Sequence, residues 1–197
     1  MSRKRLYTIS ISASIITAAV AAASLLTGPA SAAPKQIQQP PTVVIGPDSG
    51  PGGWSEATCP AGTQLVGGGY ESSPVRDGYG NPVDALRASA PSLNPNAWLA
   101  HMDKGSVRAT ATCVTSSAPP PLIITGPPGT AGYWSIATCP AGTVLAGGGF
   151  IATAIAHNGL GNPVDTETGG TATMSPPNSW ADRWFAGTVI ARAMCTS

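Results

Sequence analysis

Ala57-Thr58-Cys59-Pro60-Ala61-Gly62-Thr63, followed by Leu65 and the run Gly67-Gly68-Gly69, returns 80 positions later. The second occurrence is Ala137-Thr138-Cys139-Pro140-Ala141-Gly142-Thr143, with Leu145 and Gly147-Gly148-Gly149. Self-similarity at a fixed long period marks a repeated supersecondary unit. It divides residues 40–197 into repeat 1 (40–115), a joint (116–119) and repeat 2 (120–197).

The repetition reaches outward in both directions. Upstream, Pro40-Pro41-Thr42-Val43-Val44-Ile45-Gly46-Pro47 matches Pro120-Pro121-Leu122-Ile123-Ile124-Thr125-Gly126-Pro127 at the same offset. A short β-branched run bracketed by prolines suits an edge strand, because proline has no N–H to give a ladder. Trp54–Cys59 and Trp134–Cys139 read as the next strand. Cys-Pro-Ala-Gly is then expected to form a tight hairpin turn, with proline at the first central position and glycine supplying a positive φ. Thr63–Val66 starts the return strand. Three consecutive glycines offer no side chains to pack, so they imply a bulge or a ring or backbone lying directly on the chain.

Downstream, Asp77–Asp84 and Asn158–Asp165 share the pattern Asp/Asn-Gly-x-Gly-Asn-Pro-Val-Asp, a turn signal. Arg87–Ala90 is a further strand candidate. Asn96-Ala97-Trp98 matches Asn178-Ser179-Trp180, and each unit closes on an alternating strand. Val107, Ala109, Ala111 and Cys113 share one face of the first closing strand; Val189, Ala191, Ala193 and Cys195 share one face of the second. The expected fold is all-β: two tandem small antiparallel units, sandwich or barrel-like, with one disulfide each.

Composition agrees. Gly (24) and Pro (20) are abundant, and charged residues make up only 10% of 197 residues, which favours short strands and many turns. Residues 1–32 read as a cleaved secretory signal, from the basic Arg3-Lys4-Arg5 through an apolar stretch to Ala30-Ser31-Ala32. Residues 33–39 read as a disordered stub. Without Arg3, Lys4 and Arg5, seven basic residues face nine acidic ones. Such a balance gives no electrostatic reason to seek nucleic acid or an anionic membrane. Secretion to an extracellular, oxidising destination is expected.

The four cysteines fall two per repeat at matching places. Four cysteines allow three pairings. Duplication selects Cys59–Cys113 and Cys139–Cys195, because each unit should have folded before it was doubled. No Cys-x-x-Cys is present, so neither a redox motif nor a zinc site is expected, and no cofactor or metal is implied.

Enzymatic readings are weak. His101 aligns with Arg183 and His157 falls near Arg76, so neither histidine recurs. His101 with Asp103 could sketch a hydrolase site, but no G-x-S-x-G elbow accompanies them. The stronger candidate is the paired loop: Asp77, Gly80, Asn81 and Asp84, with Asn158, Gly161, Asn162 and Asp165. Its Gly-x-x-x-Asp spacing superficially resembles the sugar-binding loop of jacalin-type lectins. That likeness implies a carboxylate and backbone amides holding sugar hydroxyls, with Tyr79 as a stacking surface. The same oxygens could hold calcium, or simply cap the turn. Trp54, Trp98, Trp134 and Trp180 pair across the repeats and read as packing residues, whereas the unpaired Trp184 reads as an exposed contact.

Taken together, Cys59–Thr63, Gly67–Gly69, Asn96–Trp98 and Val107–Cys113 resemble the tandem β-repeat units of secreted actinobacterial proteins. The resemblance implies a small exported β domain and brings no catalytic residues. The expectation is a non-enzymatic binding or surface-associated protein, with cell-wall or other glycan as the first ligand class. A structural envelope or spore-coat component and a secreted hydrolase are the rival readings.

Overall fold

The computed structural model describes residues 39–164 and 167–197. The expected signal segment, nearly all of the stub and the candidate Asp165 lie outside the described residues. The first half contains β1 (Thr42–Ile45), β2 (Trp54–Thr58), β3 (Thr63–Ser73), β4 (Leu86–Pro91), β5 (Ala97–Met102) and β6 (Ser106–Thr115). The second contains β7 (Leu122–Thr125), the short β8 (Gly129–Thr130), β9 (Trp134–Thr138), β10 (Val144–Ala154), β11 (Glu167–Thr173), β12 (Ser179–Trp184) and β13 (Thr188–Thr196).

The fold is all-β and antiparallel, and its sheets do not close into a barrel. In the first half, β1-β6-β3 packs over β2-β5-β4. In the second, β7-β13-β10 packs over β9-β12-β11. The halves are joined because β10 also pairs with β4, with Phe150 opposite Ser89 and Ile151 opposite Ala88. One seven-stranded sheet therefore runs β2-β5-β4-β10-β13-β7, with β8 on β13. The described residues form one compact unit.

The alternation read in the closing strands is what fills the cores. Val107, Ala109, Ala111 and Cys113 are all buried, as are Val189, Ala191, Ala193 and Cys195. Small alanines let the facing sheets approach, and the bulk comes from Leu65, Trp98 and Met102 on the first side and from Phe150 and Trp184 on the second. The cores are not separate. Met194 and Ile123 reach from β13 and β7 into the first core, and Leu86 of β4 touches both.

Both disulfides form as the spacing selects, Cys59–Cys113 and Cys139–Cys195, each with Cα atoms 5.7 Å apart. Each ties the end of β2 or β9 to the last strand of its half, across the sandwich. Two bridges in a chain with no free cysteine mark folding in an oxidising environment.

The Cys-Pro-Ala-Gly turn corrects the hairpin expectation. Thr63 N donates to Pro60 O at 3.1 Å and Gly62 has φ 79°, so the glycine plays its expected role. Yet Pro60 accepts this bond and so opens the turn, one place before the first central position. The strands it joins also do not pair with each other: β2 pairs β5 while β3 pairs β6. The turn is a crossover between facing sheets, and the disulfide at its base staples that crossover.

The triple glycine lies inside β3 rather than ending it. A bulge falls between Leu65 and Gly67, and a Cβ on Gly68 would land in the Trp98 ring. Gly148 and Trp180 repeat the contact. Asn96 completes the device in a left-handed conformation (φ 60°). Its Oδ1 accepts Leu65 N at 2.7 Å, its Nδ2 donates to Thr63 O at 2.8 Å, and its own carbonyl accepts Cys59 N at 2.9 Å. The side chain takes the place of a strand beside the bulge, and Asn178 makes the same three bonds. Asn-x-Trp is thus a structural motif: the asparagine satisfies the bulged backbone and the tryptophan covers the glycine.

Candidate functional site

The paired loops are organised by their own first residue. Asp77 Oδ1 accepts Tyr79 N and Asn81 N, both at 2.9 Å, and its Oδ2 accepts Asn81 Nδ2 at 3.2 Å. Asp77 N donates to Asn81 O, Gly80 N donates to Asp77 O, and Gly80 takes φ 86°. In the second loop Asn158 Oδ1 accepts Leu160 N and Asn162 N, and Gly161 takes φ 72°. An amide thus does what a carboxylate does, so this turn needs an acceptor and not a charge.

Asp84 is more deeply committed. Its Oδ1 accepts Ala85 N and Lys104 N, and its Oδ2 accepts Gly105 N at 2.6 Å and Val75 N at 3.2 Å. An ionised carboxylate offers about four acceptor positions, and four backbone donors occupy them. Asp84 clamps the loop to the β5–β6 turn.

The Asp77 carboxyl is held below the usual carboxylate range, chiefly by the Asn81 side-chain amide and then by the Asn81 backbone N–H. A depressed folded-state pKa means the turn's stabilisation is complete above the ordinary value of 3.8 and is lost as pH falls through the lower folded value. Acidification through that value is therefore expected to shift the Tyr79 and Asn81 amide resonances and leave those of Leu160 and Asn162 unmoved, since Asn158 does not titrate. An NMR pH titration checks this; equal responses in the two loops would contradict it.

His101 does not pair with Asp103, the aspartate expected beside it. His101 stacks on Trp54, with ring centroids 4.3 Å apart and planes 16° from parallel, and its Nε2 donates to Gly52 O at 3.1 Å. Burial is the main cause that pushes its pKa below the usual histidine value. Asp103 instead pairs with Arg87 and with His157 of the second half, each at 3.3 Å. The lost correspondence between His101 and Arg183 now has a reason. Each sits cross-strand from an exposed tryptophan, and Arg183 lies over the Trp134 ring at 4.8 Å. Both flat groups brace an indole, one by stacking and one by cation–π attraction.

The tryptophan assignments change accordingly. Trp98 and Trp180 are packing residues, as read. Trp184, expected at the surface, is 1% exposed and packs against Phe150. Trp54 and Trp134, expected in packing roles, are 53% and 43% exposed. Each lines a groove on an outer sheet face, the first reaching across the joint to Ile151 and Arg192 of the second half. The first, of about 330 Å³, places Trp54 with Glu56, Ser92, Asn94, Leu99 and Arg192. There Glu56 accepts Ser92 Oγ at 2.6 Å and Asn94 Nδ2 at 2.9 Å. The second, of about 270 Å³, has Ile136 in place of Glu56. Pairing across the repeats does not by itself distinguish packing from matched exposure. The signal lay in the strand alternation: Ala57 shares the buried face with Ser55, which sends Trp54 and Glu56 outward.

Neither a protein-family model nor a curated protein sequence matches this chain.

Proposed function

We propose that this is an exported, non-enzymatic tandem-repeat binding protein whose ligand is a glycan, taken in the Trp54 groove. The carrying observation is the half-exposed Trp54 ring, fixed from behind by His101, beside a hydrogen-bonded Glu56–Asn94–Ser92 cluster. A sugar ring presents an apolar C–H face and equatorial hydroxyls, and such a site offers an immobilised aromatic plane and oriented acceptors to match. The ligand role thereby moves from the loop carboxylates, which serve their own backbone, to the outer sheet face. Export accords with the N-terminal segment and with the two disulfides.

Glycan-array screening, followed by calorimetric titration of the best cell-wall oligosaccharide, tests the proposal. Trp54→Ala is expected to weaken binding about tenfold, equivalent to about 1.4 kcal/mol. Asp77→Asn, which copies the second loop, is expected to leave affinity unchanged. Loss on Asp77→Asn with retention on Trp54→Ala would return the site to the loop. Absence of any glycan binding would overturn the reading.

A further inference from the structure

The joint between the halves is head-to-tail, and it leaves an unused copy of each of its two surfaces. Within the chain, the β4 edge of the first half meets the β10 edge of the second. The counterpart of β10 is β3, and the counterpart of β4 is β11. Among the described residues β3 pairs only with β6, and β11 only with β12. We propose that the β3 edge of one molecule pairs with the β11 edge of a second copy, repeating the internal joint between chains.

The features that make the internal joint are present at the open edges. Gly149 lies so close to β4 that a Cβ there would run into the Ser89 carbonyl and Ala90 Cα. Gly69, its counterpart, would meet only Thr110 Oγ1, at 3.3 Å. Glycine in mid-strand weakens a sheet unless a backbone approaches it, so Gly69 keeps a clearance that nothing within its own half uses. Next along, Phe150 is 5% exposed and Tyr70 is 46% exposed. Opposite, Ser89 pairs with Ala100 and Gly170 pairs with Asp182, which puts Gly170 at the place of Ser89. The proposed register therefore sets Tyr70 against Gly170 and Glu71 against Gly169.

The flanks change in the direction an intermolecular contact needs. Beside the internal joint, the β5–β6 turn docks by polar bonds: Asp103 to His157, and Lys104 Nζ to Gly161 O at 2.8 Å. The matching β12–β13 turn carries Phe185, and the loop it would face carries Tyr79. Both rings are largely exposed. Unpaired strand edges template pairing with another chain, and β1 and β7 are guarded against it by their flanking prolines. A heterologous contact closes as a ring or continues as a filament, according to the rotation it imposes.

Sedimentation velocity of the purified chain over a concentration series up to about 1 mM tests this. The expected result is a mass that rises past the dimer. Gly69→Val and Tyr70→Lys each obstruct the β3 edge, and Thr171→Lys charges the β11 edge at the place of the buried Ala90. Each variant is expected to keep the native circular dichroism and to weaken association at least about tenfold. Mixing a β3-blocked variant with Thr171→Lys should restore dimers and nothing larger, because each partner keeps one usable edge. A wild-type chain that stays monomeric throughout overturns the proposal. So does association that persists in both kinds of variant, or a mixture that stays monomeric while the wild type assembles. The experiment contains no glycan, so its outcome is independent of the Trp54 reading.

Discussion

Replacing Gly149 with valine is expected to lower the melting temperature by about 6–12 °C, while the same change at Gly69 leaves it nearly unmoved. The two glycines stand at the same place in matching strands, so intrinsic strand preference cancels in the comparison. What differs is the neighbour. At Gly149 the new side chain meets backbone of β4, which cannot rotate away, and the seven-stranded sheet must part at its middle. Overpacking against backbone costs about 3 kcal/mol, the upper end of the usual range. For a chain of this size each kilocalorie per mole moves the midpoint by about 2–4 °C. Differential scanning calorimetry of both variants checks it. Equal effects at the two positions would mean that the joint contributes little to the stability of the whole.

The second large effect belongs to the disulfides. Cys113→Ser is expected to cost about 4 kcal/mol, the chain-entropy value for a loop with a sequence separation of 54. Denaturant unfolding followed by tryptophan fluorescence measures it. The damage should not stay in the first half. Cys113 lies in the core that Met194 and Ile123 enter from the second half, and β4 is hydrogen-bonded to β10. A single unfolding transition at lower denaturant is therefore expected. Two separated transitions would show that the halves unfold independently despite their shared sheet.

Much of this architecture is legible in the chain because the relevant signals are local. Proline brackets announce β1 and β7, alternation announces β6 and β13, and the matched cysteines select their own partners. The glycine run announces a bulge or an overlying ring or backbone, and β3 has both the bulge and the ring. Three things escape for a physical reason in each case. The crossover after Cys59 escapes because a Pro-Ala-Gly turn reverses a chain equally well within a sheet or between sheets. The β4–β10 joint escapes because Gly69 and Gly149 are the same residue, and only their surroundings differ. Trp184 escapes because a lone aromatic without a partner copy can be a surface contact or the filler of a gap. Its counterpart, Met102, fills the equivalent gap in the first core. In the candidate site, acceptor side chains in a turn serve backbone and ligand with the same atoms, so the sequence of the loop acids reads the same for either role.

The placement of the two bridges also sets how the protein would bear load. If it is held at one end and pulled at the other, the stretches 59–113 and 139–195 cannot lengthen while the sulfur links hold. Only the leading segment up to Cys59, the span between Cys113 and Cys139, and the last residues can pay out, at no more than about 3.6 Å per residue. The first yield would be β1 peeling from β6 and β7 from β13, each a four-residue strand at a sheet margin. Beyond that short slack the chain would act as an inextensible tether, and because Trp54 and Trp134 lie just outside the covalent loops, their grooves would come apart as the slack pays out.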